Sequence, residues 1–255
     1  MGFEPPDEWC TFDFPINHPF TTNMKSVVVL IIGLFFLSCT HSNEPVTADE
    51  VQARDSVIAI SDSAHFITNN YIELDKIGRV SLFRSGIGHD YSDDVEHCRS
   101  MKHYFVPKEN VDWASVKIFS PVAGKVVRMF NEWAGTQVQI VPFSQPSYTV
   151  IIFHINLLSP LCVGDTVDAG VQLGTHIGSQ TYSDIAVGHS VMNSWQLVSL
   201  FDAITDSVFA QFHSRGIESR NKCIISKEMR DADTLGCTGD TFATEGTLNN
   251  WIDLN

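Results

Sequence analysis

Val116-Lys117-Ile118-Phe119-Ser120-Pro121-Val122-Ala123-Gly124-Lys125-Val126-Val127-Arg128-Met129 is the stretch that decides the fold. It reads strand, turn, strand, because β-branched residues flank a Pro and a Gly that punctuate the chain. Working outward, Val138 to Val141 and Tyr148 to Ile155 are further strands. Val163-Gly164-Asp165-Thr166-Val167 and Ala169-Gly170-Val171-Gln172-Leu173-Gly174 then form a tight two-turn signature. Short strands with regular Gly, Pro and Asp punctuation predict a mainly β (α+β) domain, a sandwich or roll, over residues 71–195.

The flanks carry helical signals. Thr47-Ala48-Asp49-Glu50 has the form of a capping box and opens a predicted helix within 48–70. Beyond the β region, Leu197, Leu200, Phe201, Ile204, Val208, Phe209 and Phe212 recur at helical spacing, and Gly216 supplies a stop. That pattern predicts an amphipathic helix over 196–216 that packs its stripe on the sheet. The tail, 217–255, is polar and rich in turn residues.

Upstream, Met24-Lys25 precedes an apolar run from Ser26 to Leu37, and Ser38 stands before Cys39. One positive residue, about a dozen apolar ones and a small residue make a secretory signal. The run is short for a membrane span, which needs ~20 apolar residues. The ending Leu37-Ser38-Cys39 resembles the lipobox of bacterial lipoproteins, which implies cleavage before Cys39 and lipid on its thiol. Residues 1–23 would place an acidic, Pro-rich prefix before this signal, so translation is expected to begin at Met24. Residues 24–38 are then the signal peptide and 39–47 a polar tether. The expected location is the cell envelope, lipid-anchored at the periplasmic or outer-membrane face.

The chain has 255 residues, with 16 Lys+Arg against 30 Asp+Glu and a net charge of −14. It carries no basic run, which argues against nucleic acid as a partner. Four cysteines remain beyond Cys39: Cys98, Cys162, Cys223 and Cys237. In an oxidising compartment four cysteines allow three connectivities. Cys223 with Cys237 is the expected pair, since it closes a short loop in the tail. Cys162, between Leu161 and Val163, reads as a buried thiol.

Three pieces carry chemistry. Gly88-His89-Asp90-Tyr91-Ser92-Asp93 places an imidazole and a carboxylate four residues apart, and both are zinc-ligand types. Phe153-His154-Ile155 sets one His in an apolar strand. The segment from Val163 to Gly174 is the third. The second and third pieces, with Ser120-Pro121-Val122-Ala123-Gly124-Lys125-Val126, resemble the lysostaphin/LytM-type zinc endopeptidases over about residues 85–190. Part of this text is shared with lipoyl-type and other duplicated-hairpin domains.

The resemblance implies a LytM-like β-sandwich or roll and a zinc held by a His-x-x-x-Asp motif and the second His of a His-x-His motif. His89 and Asp93 match the first in spacing, and His154 matches the catalytic His. Where His-x-His belongs the chain reads Ser183-Asp184-Ile185-Ala186-Val187. Asp184 stands at the first His and Ala186 at the ligand. His189 lies three residues on, and reaches the same face only if the strand bulges at Gly188.

The expected metal set is therefore His89, Asp93 and, with a bulge, His189. Zn is expected if the site is active, and no cofactor if it is degenerate. Arg99, Lys102 and Tyr104 are expected to line a groove that meets carboxylates of stem peptides. The reading is an envelope lipoprotein with a degenerate peptidase domain that binds or regulates at peptidoglycan or a wall-associated protein, with membrane attachment through the lipid. The alternatives are an active zinc endopeptidase cleaving peptidoglycan crosslinks and a structural docking protein of the envelope.

Overall fold

The run Tyr148–Leu157 is apolar on successive residues rather than on alternate ones, as expected for a strand covered on both faces. Val150, Ile152 and Ile155 enter one cluster and Ile151 and Phe153 enter another. This central strand organises the computed structural model, which describes residues 65–255. The signal segment, Cys39, and the helix expected from residue 48 lie outside the described residues, apart from that helix's last stretch. Residues 65–70 are not helical, and Ile67 bridges Ile204 instead.

In chain order the strands are β1 (Ile77–Ser81), β2 (His103–Pro107), β3 (Lys117–Phe119), β4 (Gly124–Glu132), β5 (Gly135–Pro142), β6 (Tyr148–Leu157), β7 (Thr166–Val167), β8 (Gln172–His176), β9 (Ser183–Val191) and β10 (Ser194–Val198). Three helices follow: α1 (Leu200–Ala203), α2 (Asp206–His213) and α3 (Lys227–Ala232). Then come β11 (Cys237–Thr238), β12 (Thr241–Phe242) and β13 (Trp251–Asp253). The main sheet runs β13-β1-β2-β9-β6-β5-β4-β7, with β10 on β9 and β8 joining β3 to β6. It is open, mainly β, and antiparallel at each named strand pair. The layout is that of a sandwich or roll.

The larger core lies where α1 and α2 cover one face. Phe105, Phe201 and Phe212 meet there, with the Phe201 and Phe212 rings edge-on and their centroids 5.0 Å apart. Each such buried ring contributes about 2–3 kcal/mol of transfer free energy. The periodic stretch 196–216 is not one helix. Its first residues belong to β10, Ser199 caps α1 through Phe201 N–H, and Ile204 is extended before Thr205 opens α2. Ser199 starts α1 by capping it, and the extended Ile204, bridged to Ile67, divides α1 from α2 although the apolar period continues.

Cysteine pairing also differs from expectation. Cys237 bonds Cys98, 139 residues away, not Cys223. Cys223 is a buried free thiol in the larger core, and burial pushes its pKa up. Cys162 is half-buried and disulfide-bonded rather than a buried thiol. The Cys98–Cys237 bond ties the C-terminal segment to the loop before β2, and β13 pairs with β1.

Candidate functional site

The site begins at a bulge. Thr136 pairs with Ile155 and Val138 with Ile152, so three steps on β6 face two on β5. The extra residue is accommodated at His154, whose φ is +61°. A bulge re-aims a side chain, and here it turns the imidazole toward β9. His154 Nδ1 lies 2.9 Å from the Ala134 carbonyl oxygen, which can only accept. Its Nε2 lies 3.2 Å from Asp184 Oδ1. The carbonyl fixes Nδ1 as a donor, and Nε2 faces a carboxylate, so the surroundings favour the protonated ring. Burial alone would lower its pKa, but the Asp184 carboxylate raises it above the usual histidine value.

Asp184 is brought opposite Tyr104 by the β2–β9 register, which also sets Lys102 beside it. Lys102 Nζ lies 2.5 Å from Asp184 Oδ2. The two side chains are 2% and 0% exposed, so this is a buried ion pair. His89 Nδ1 donates to the Asp90 carbonyl at 2.9 Å, which leaves Nε2 to accept from Lys102 Nζ at 3.2 Å. The ammonium also sits 4.2 Å from the centroid of Phe153, 4.7 Å from Tyr91 and 5.1 Å from Tyr104. Aromatic faces attract a desolvated cation. Burial presses the Lys102 pKa down, but Asp184 more than offsets it and the net shift is upward. Burial likewise presses Asp184 up, and Lys102 with His154 brings its net shift below the usual carboxylate range.

Above this chain of charges opens a cleft of about 680 Å³, lined by His89, Lys102, Tyr104, Trp133, His154 and Tyr182 among others. Trp133 stands at its rim, 78% exposed. Gly88, with φ +78°, lets the loop pass over Tyr104, because a Cβ there would fall 2.1 Å from the Tyr104 hydroxyl. The floor sets Lys102 and His154 against Asp184, and the Glu132 carboxylate lies 3.8 Å from His154 Nδ1.

The expected site residues divide. His89, His154, Lys102 and Tyr104 converge on the cleft. Asp93 does not join them: its Oδ1 accepts from Val95 and Glu96 N–H and its Oδ2 from Leu197 N–H. Its carboxylate is spent on holding loop to β10. His189 stacks on Tyr148 with centroids 4.1 Å apart, opposite it in the sheet. The β9–β10 register runs without a break past Gly188, where a Cβ would fall 1.9 Å from the Trp195 ring. The bulge lies on β6, not at Gly188. Ala186 packs beside Phe153 in the smaller core. Arg99 is turned away, paired with Glu96 at 2.6 Å and Asp231 at 2.8 Å. Asp184 is the functional side chain that residue types alone did not single out; its strand position was the available signal.

Zinc does not fit this arrangement. Of the three expected ligands, Asp93 and His189 are committed elsewhere, and an ammonium lies against His89 and Asp184. Among the described residues no group of three or more His, Cys, Asp or Glu side chains is placed to hold a metal.

No family model matches the chain, and no curated protein matches it. Solved structures give a distant, partial similarity to the LytM, lysostaphin and M23 peptidase fold. A crystal structure from Ruminococcus gnavus, provisionally described as a glycyl-glycine endopeptidase lytM, aligns at TM-score 0.32 and 14% identity over 39% of this chain and 43% of that one. The solution structure of lysostaphin aligns at TM-score 0.27 and 19% identity over 38% and 39%. A Pseudomonas aeruginosa structure, provisionally described as a peptidase M23, aligns at TM-score 0.30 and 17% identity over 61% and 62%. The chain spans less than two thirds of each of these structures.

Proposed function

We propose that this protein is a lipid-anchored component of the cell envelope whose β domain binds peptidoglycan stem peptides without cleaving them. The observation that carries this reading is the floor of the cleft. His154 is held between the Ala134 carbonyl and the Asp184 carboxylate, which favour the protonated ring, and a protonated ring has no lone pair with which to act as a general base. Asp184 is closed off by Lys102 and His154. What remains is the Lys102 ammonium and the His154 ring under an aromatic rim, a setting suited to a polar group next to an apolar chain. The anchor rests on Lys25, the apolar run to Leu37, and Cys39.

The test is co-sedimentation of the purified full chain with peptidoglycan sacculi, followed by analysis of released fragments. The expected result is retention without release, weakened at least several-fold by Trp133→Ala. Chelator-sensitive release of fragments would restore the endopeptidase reading. Absence of retention would favour docking on another envelope protein.

A further inference from the structure

We infer that Arg79 reads the terminal carboxylate of the bound peptide and so fixes the direction in which the ligand lies. The inference rests on the stem-peptide reading above and names the end of the peptide that the cleft selects. Alternate residues Lys102, Tyr104 and Val106 line the cleft, while His103 and Phe105 between them pack toward the larger core. The cleft therefore follows β2. At its far end Arg79 lies directly opposite Val106 in the β1–β2 register, so its side chain leaves the sheet on the cleft face.

Arg79 differs from most arginines of the fold. Its guanidinium lies over the Trp251 ring, 4.4 Å from the centroid. Trp251 in turn stands edge-on to Tyr182, a lining residue of the cleft, at 5.7 Å. Among the described residues Arg79 makes no ion pair and no hydrogen bond, and Asp253, opposite it on β13, does not pair with it. Arg84, Arg99, Arg215, Arg220 and Arg230 all donate to protein acceptors. Stacking fixes the plane of the Arg79 fork and leaves its N–H edge open. That arrangement takes a carboxylate with two parallel hydrogen bonds.

Charge balance points the same way. On the floor, Lys102 and His154 already meet Asp184, and Glu132 lies 3.8 Å from His154. A ligand carboxylate gains little there and gains most at Arg79. The apolar body of the peptide then crosses Val106, Val111 and Trp113. From Lys102 to Val106 is four strand steps, about 13 Å. A peptide of about four extended residues spans that length and brings its carboxylate to Arg79. The role expected of Arg99, which is turned toward Glu96 and Asp231, thus falls to Arg79.

The experiment is calorimetric titration of the full chain with two probes, a stem tetrapeptide as its free acid and the same peptide as its C-terminal amide. Wild type is expected to bind the free acid at least ~10-fold more tightly than the amide. Arg79→Gln is expected to bind both alike, at the wild-type affinity for the amide, with little change in melting temperature. Equal affinity of wild type for acid and amide overturns the proposal and leaves the stem-peptide reading standing. So does a preference for the acid that survives in Arg79→Gln. Failure of wild type to bind either probe overturns both.

Discussion

Replacing Lys102 by Met removes one side of a buried ion pair and leaves the other in place. At 2.5 Å the gross attraction between Lys102 and Asp184 is about 7 kcal/mol for an effective dielectric of ~20. Desolvation of both groups offsets most of that, so the pair is a modest net stabiliser. The single variant is a different matter, since it leaves Asp184 buried with only His154 beside it. Breaking a buried pair in this way costs about 3–5 kcal/mol, a large share of the ~5–15 kcal/mol that holds a domain together. Asp184→Leu strands the ammonium and costs a similar amount. The double variant strands neither and is expected to cost about 1–2 kcal/mol, giving a coupling of about 3 kcal/mol or more. Urea unfolding at neutral pH of wild type, both singles and the double measures the cycle. A double-variant loss equal to the sum of the singles would refute the reasoning.

The remaining predictions concern separate parts of the molecule. The His154 ring is expected to show imidazolium nitrogen shifts by NMR at neutral pH; a neutral tautomer there contradicts the protonated form. His103 and His176 are buried and pushed down to about 4 by that burial. Their folded values lie below the unfolded ~6.5, so their contribution is full above about pH 6.5 and is lost as pH falls toward 4. Each is expected to remove about 2–3 kcal/mol by about pH 4.5, partly offset by His154, whose raised value acts in the opposite sense. Urea midpoints across that range, with His103→Asn as a control, test it. Reducing Cys98–Cys237 releases a 139-residue separation and is expected to cost about 5 kcal/mol of stability. Cys223 should stay unreactive toward thiol reagents until the domain unfolds. Gly188→Ala is expected to cost about 1–3 kcal/mol by driving a methyl into Trp195, read as a lower melting temperature and altered tryptophan fluorescence.

Much of the β core was legible because its signals are local. The runs around 116–129 and 148–155 and their Gly and Pro punctuation mark strands directly, and these are β3, β4 and β6. His154 was legible as a lone histidine in an apolar strand, and Lys102 and Tyr104 as members of the aromatic and basic stretch from Arg99 to Phe105. What was not legible depends on pairings between distant segments. Lys102 meets Asp184 only through the β2–β9 register, and nothing near either residue announces the other. Asp93 reads as a ligand by type, yet it accepts three backbone N–H groups, one of them from β10. The bulge that aims a histidine lies at His154, whereas the β9–β10 register runs unbroken past Gly188, which packs under Trp195. The expected disulfide followed loop length, whereas the observed one joins two loops that meet only once the sheet is built.

The pairing of β13 with β1 has a bearing on how the chain is made. Val80 is fully buried and lies opposite Ile252, far along the chain. An early strand therefore waits, one edge unfilled, until Trp251–Asp253 has been made. Nascent intermediates offer that edge to neighbouring polypeptides, and a product truncated before Trp251 would leave it open.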